Sequence, residues 1–165
     1  MVAIRKDIFV RLKSEIPFFH GFMDEEVLAF LRLMSAEHFA QDQLIFKEFD
    51  EGTKMYILFS GVVKISKRVG VLDGAVKETE ITQLHPGDAF GELGLLDHRP
   101  RSASARAVED AMLFSITTEK LEKIGRNPKF AFLSYKLFRN FSTTLASRLR
   151  NTNQKVVDLE AQRIG

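Results

Sequence analysis

One short stretch concentrates the polar chemistry of this chain: FGELGLLDHRPRSAS, from Phe90 to Ser104. Gly91 has no Cβ, so a ligand can approach its backbone closely. Glu92 opens the run ELGLL, whose pattern predicts one short helical turn with unpaired N–H groups at its start. Such a terminus attracts anions. Leu93, Leu95 and Leu96 are expected to anchor the turn in the core. Pro100 then orients Arg101, and Ser102 and Ala103 are small enough to leave their N–H groups open. A guanidinium fork with backbone amides beside it suits a phosphate. Glu92 is wrong for a phosphate and right for accepting hydrogen bonds from hydroxyls. An anion and a hydroxyl side by side describe a ribose phosphate. The plainer alternative is a surface Arg–Glu pair on a loop, an arrangement worth about 0–1 kcal/mol.

Three zones must position these residues. Positions 2–34 read as helical: Ile4, Ile8 and Leu12 recur one turn apart, and Val27, Leu28, Leu31 and Met34 share a face behind acidic residues that suit a helix start. Pro17 separates two helices. Positions 36–117 read as β. Short runs rich in Val, Ile, Phe and Tyr (LIFKEF, KMYILFS, VVKISKRV, KETEITQL, AMLFSI) alternate with glycines, and Asp73-Gly74 is a hairpin signal. Many short strands with regular turns predict a barrel or jelly roll, because closure removes exposed edges. The third zone returns to helix: TTEKLEKIGRN starts on Thr and ends on Asn, and one long pattern without Gly or Pro follows Pro128. We expect an α+β chain in two parts: a β-roll with N-terminal helices over 1–127 and a long dimerisation helix over 128–165.

Composition narrows the classes of function. The chain has 165 residues, enough for one domain with a core, and a net charge of +2, which is weak evidence for nucleic-acid binding, since that usually needs a concentrated basic face. It has no cysteine, which removes disulfides and thiolate chemistry. MYILFSGVV is too short to span a membrane, and the N-terminus lacks a signal-peptide pattern. A cytoplasmic location is the expectation. His20, His38, His85 and His98 are scattered singly, whereas a metal site needs three or four convergent ligands. No catalytic triad or metal signature of a phosphodiesterase stands out, so no enzyme, metal or cofactor is expected. No internal repeat, low-complexity tract or flexible linker interrupts the chain.

The stretch Phe90–Ser104, with its Gly-Glu-Leu start and its Pro-Arg-Ser-Ala end, closely resembles the phosphate-binding cassette of cyclic-nucleotide-binding domains. DEGTKMYILFSGVVKI and LHPGDAFGE resemble that family's barrel strands and Pro-Gly-Asp turn, and the likeness runs from about Phe18 to Leu159. The resemblance implies a β-roll with flanking helices that binds a cyclic nucleotide. Arg101 would pair with the cyclic phosphate, with Ser102 and the Ala103 amide assisting. Glu92 and the Gly91 backbone would hold the ribose 2′-hydroxyl, with Leu93 next to them. Ile65 and Ile81 match apolar positions on the wall against which the base lies; plain barrel core is the other reading of these two.

The long helix carries a heptad seam through positions 131, 135, 138, 142, 145, 149, 152, 156, 159 and 163. A second stripe of Phe130, Leu133, Leu137 and Phe141 shares the first half. The first half therefore has two apolar faces, one for the barrel and one for a partner, and the second half has one, which predicts a parallel homodimer. Thr152 interrupts the seam with Asn153 beside it; such polar positions can simply set register. SRLRNTNQKVVDLE also resembles the end of the dimer helix in bacterial catabolite activators of the same family. That likeness implies that Thr152 and the other subunit's Asn153 contact the base, and that Arg148 reaches the region of Glu92. The family usually has Ser where this chain has Asn153.

A regulatory sensor is the resulting expectation, with cyclic AMP as ligand and cyclic GMP as the alternative, signalling through its helix to an unknown protein partner. The activators carry a helix-turn-helix after this helix. Here about AQRIG follows the seam, so direct DNA binding is not expected. The alternatives are a fragment of a larger ligand-controlled regulator, or a degenerate dimerising scaffold that binds nothing.

Overall fold

A computed structural model describes residues 6–72 and 75–164. Ile4 and the Asp73-Gly74 turn, both singled out above, lie outside the described residues. Helices α1 (Lys6–Glu15) and α2 (Asp24–Leu31) flank a short 3-10 turn at Pro17–Phe19. Eight strands follow: β1 (Ser35–Phe39), β2 (Leu44–Phe46), β3 (Lys54–Ser60), β4 (Val63–Leu72), β5 (Ala75–Leu84), β6 (Ala89–Phe90), β7 (Ser104–Ala107) and β8 (Ala111–Thr117). Helix α3 (Leu93–Asp97) lies between β6 and β7, and α4 (Thr118–Gly125) and α5 (Ala131–Ile164) complete the chain. The strands form two antiparallel four-stranded sheets, ordered β1-β8-β3-β6 and β2-β7-β4-β5. This is the α+β jelly roll with flanking helices and a long terminal helix that the residue pattern predicts.

The two faces of β3 explain the arrangement. Successive side chains of a strand point to opposite faces. Met55 and Ile57 pack with the helices, in a cluster that includes Leu12, Phe19, Phe30, Leu133, Leu137 and Phe141. Tyr56 and Leu58 point between the sheets, toward Val63, Leu84, Phe90, Ala105 and Leu113. A strand buried on both sides has no polar alternation, which is why KMYILFS is nearly continuous in apolar residues.

Helix α5 divides as its two stripes predict. Leu133, Leu137 and Phe141 are buried, each stabilising the packing by roughly 1.5–3 kcal/mol. A nearly buried ion pair, Lys136–Glu26 at 2.6 Å, and Asn140 donating to the Phe18 carbonyl at 2.7 Å fix this half to the N-terminal helices. On the seam, Tyr135, Phe138, Leu149, Val156 and Leu159 are 54–66% exposed, and Leu145 is partly buried. Phe130, assigned to the buried stripe above, is instead 36% exposed, because it ends a short 3-10 turn ahead of α5. No helix among the described residues is long and apolar enough to cross a membrane.

Two further expectations need correcting. Of the three leucines expected to anchor α3, Leu95 alone packs against the core; Leu93 and Leu96 are exposed. A five-residue helix presents too little surface to bury all three. In addition, β1, β6 and β7 are strands that the apolar runs did not mark. SAEHF and SARA lack bulky alternation and owe their pairing to β8 and to β4 with β2.

Candidate ligand-binding site

The short helix α3 is entered through β6, whose Ala89 and Phe90 pair with Ile57 and Tyr56 of β3. Gly91 follows in the left-handed region at φ 75°, and Glu92 is the N-cap of α3. Opposite, the segment before β7 is tied to the turn after β2: Phe49 donates its N–H to the Arg101 carbonyl at 3.0 Å, and Arg101 donates to the Asp50 carbonyl at 2.8 Å. Two rigid strand ends thus bring Glu92 and Arg101 together, and both side chains are buried.

Arg101 is the more constrained. Its Nη1 donates to the Gly91 carbonyl at 2.8 Å, and its guanidinium carbon stands 4.2 Å from the centre of the Phe46 ring. Phe46, Tyr56 and Phe90 stack against one another beneath it, with centroids 5.3–6.0 Å apart. The Nε is buried without a hydrogen-bond partner. Burial lowers the pKa of the guanidinium, and Tyr56, Asp50 and Glu92 oppose that shift. Arginine is so strong a base that the side chain nevertheless stays cationic at neutral pH. A buried cation with an unpaired donor is costly unless an anion completes it.

Gly91 is required here. A Cβ at this position would lie 2.7 Å from Arg101 Nη1 and 3.2 Å from the Lys54 carbonyl. Gly52 and Gly94 meet in the same way: a Cβ on either would fall 2.9 Å from the Cα of the other, so α3 packs directly on the loop before β3.

Helix α5 closes the other side. Arg148 Nη1 donates to Glu92 Oε1 at 2.7 Å, and its Nη2 bonds the Ala89 carbonyl. The structure therefore joins Gly91, Glu92, Arg101 and Arg148 in one contiguous constellation. Ser102 is exposed and Ala103 partly buried on the same loop as Arg101, while Leu93 is exposed on α3. Ile65 packs at the edge of the cluster between the sheets. Ile81 is half-exposed, in a β-bulge: Ile65 pairs with Thr82 and Ser66 with Glu80, leaving Ile81 between them. Thr152 and Asn153 are exposed on the distal part of α5.

Several participants carried no sequence signal. Phe46 and Tyr56 read as strand core, yet they form the aromatic floor under Arg101. A network on β4 and β7 also went unnoticed: Ser66 donates to Glu78 at 2.6 Å and Ser104 to the same carboxylate at 3.3 Å. These bonds, that from Ser66 foremost, lower the pKa of Glu78. The buried Ser104 hydroxyl also accepts from the Glu48 N–H, so the start of β7 is tied both to the turn after β2 and, through Glu78, to β5.

This chain is similar to known proteins in sequence and fold. The family model of the cyclic nucleotide-binding domain matches residues 36–127, more than half of the 165 residues. A CRP-like cAMP-activated global transcriptional regulator of Mycobacterium tuberculosis is 32% identical over 142 residues, covering 86% of this chain and 58% of that protein. The cyclic AMP receptor protein of Thermus thermophilus is 37% identical over 138 residues, covering 83% of this chain and 59% of that one. The crystal structure of Thermus thermophilus catabolite activator protein matches with a TM-score of 0.73 at 32% identity, over 87% of this chain and 63% of that one. The chain thus spans about three fifths of the length of these relatives. The family match spans the strands of the jelly roll and the stretch Phe90–Ser104 between β6 and β7, and this chain belongs to the cyclic nucleotide-binding domain family.

Proposed function

We propose that this chain is a sensor module that binds cyclic AMP between Arg101 and Glu92, dimerises along α5 and signals occupancy through that helix to a protein partner. The observation that carries the reading is Arg101: a buried guanidinium on an aromatic floor, pinned by the Gly91 carbonyl, with Nε free to donate. A cyclic phosphate supplies the anion, and the Ser102 hydroxyl and Ala103 amide add donors from the same loop. Glu92 accepts from the ribose hydroxyl while Arg148 holds its other side. Ile65 and Ile81 flank the base, and Thr152 with the second subunit's Asn153 meets its polar edge. The relatives named for cyclic AMP favour that ligand. Exposed apolar side chains along the seam of α5 favour the dimer.

Titration calorimetry tests the reading. Cyclic AMP should bind the native chain, and Arg101→Ala should cost roughly 2–5 kcal/mol of that binding, as truncation of a buried charge pair does. An affinity for the variant within about threefold of the native value would sink the site, since 1.4 kcal/mol is already about tenfold. A native chain that binds no cyclic nucleotide would make it a dimerising scaffold.

A further inference from the structure

We infer that Lys155 reads the purine at this site and favours the guanine edge over the adenine edge. The inference rests on the binding site proposed above and adds a residue to it.

Arg148, Thr152 and Lys155 lie at spacings of four and three, on one face of α5. The two cations at its ends both touch the β-roll: Arg148 bonds Glu92 and Ala89, and Lys155 Nζ donates to the Ile81 carbonyl at 3.4 Å. The helix acts as a ruler. At 1.5 Å per residue, Thr152 stands about 6 Å beyond Arg148 and Lys155 about 10 Å beyond it. A ribose held at Glu92 has its phosphate toward Arg101, so its base extends the other way, along this face toward Ile65 and Ile81.

Ile81 gives the second observation. It is the extra residue of a β-bulge, and bulges re-aim side chains and leave backbone groups unpaired. Its side chain is half-exposed, and its carbonyl accepts from Lys155. An ammonium has three donors and no acceptor. One donor is directed at Ile81, and the others are available to a base. Guanine presents O6 and N7, two acceptors, on one edge. Adenine presents N7 together with the N6 amino donor, which an ammonium cannot use. The Thr152 hydroxyl serves either base. Lys155 therefore narrows the preference for cyclic AMP and admits cyclic GMP.

The test is calorimetry of native chain, Lys155→Met and Lys155→Arg with cyclic AMP, cyclic GMP and cyclic IMP. Cyclic IMP carries the O6 acceptor without the guanine amino group. The native chain should bind all three within about tenfold of one another. Lys155→Met should lose about tenfold for cyclic GMP and cyclic IMP and less than about threefold for cyclic AMP. Lys155→Arg should keep most of the native pattern. Melting temperature and dimer mass should not change in either variant. Equal losses for all three ligands would make Lys155 a bulge cap or a general attractor of anions and overturn the inference, as would no change at all. Either result leaves the Arg101 site standing. A native chain that binds none of the three ligands would remove the site and the inference together.

Discussion

Gly91 and Arg101 are fitted to each other at van der Waals distance, so a single methyl group is a sharp probe. Gly91→Ala puts a Cβ 2.7 Å from Arg101 Nη1 in a backbone conformation that L residues avoid. We expect cyclic AMP affinity to fall at least about tenfold while the jelly roll still forms; unchanged affinity in calorimetry would mean that Arg101 is free to retreat. Phe49 offers the opposite experiment. It has φ 74° in the turn closed by Asp50 N–H on the Lys47 carbonyl, and its side chain is 65% exposed. A left-handed conformation costs a side-chain-bearing residue about 1–2 kcal/mol, and an exposed ring returns little of it. Phe49→Gly should therefore raise the melting temperature by roughly 2–4 °C per kcal/mol recovered. A lower value would show that the ring's contacts, including the Arg68 guanidinium 5.9 Å away, outweigh the strain.

Helix α5 is two devices in one element, and both stripes were legible because each repeats over several turns. Period alone separated the buried Leu133, Leu137 and Phe141 from the exposed Tyr135, Phe138 and Leu149. Replacing Leu149 and Val156 with Glu places like charges across the seam, so light scattering should report monomers; a monomeric native chain at micromolar concentration would discount the seam. The strands with β-branched and aromatic runs were equally legible, and so was the stretch that brings Glu92 and Arg101 together, because its polar residues sit at fixed spacing. Elements stabilised by their neighbours were not. SARA of β7 has no pattern of its own and is held by β2 and β4. The three leucines of α3 look alike in sequence, and only packing separates Leu95 from the two exposed ones. Phe49 gave no turn signal, since turns needing positive φ are recognised by Gly or Asn. Lys155 could not be distinguished from any surface lysine until the bulge at Ile81 placed a carbonyl beneath it.

Across the molecule, the site joins two separately packed bodies. Arg101 rests on aromatic rings of the cluster between the sheets, while Glu92 is bonded to α5, whose first half belongs to the helical cluster. In the proposed reading, a ligand bound at that joint would act on α5 beyond Lys136 and Asn140, the residues that clamp its start. Among the described residues, the hydrogen bonds from the distal half of α5 to the β-roll come from Arg148 and Lys155. One continuous helix should therefore show two clocks. Backbone amides over 131–145 should exchange with deuterium slowly and those over 150–164 quickly, since opening free energy follows local burial. Ligand should slow the second group far more than the first. Uniform exchange along the helix would instead mean that it travels as a single rod; a break near Arg148 would mark where the proposed ligand's message enters α5.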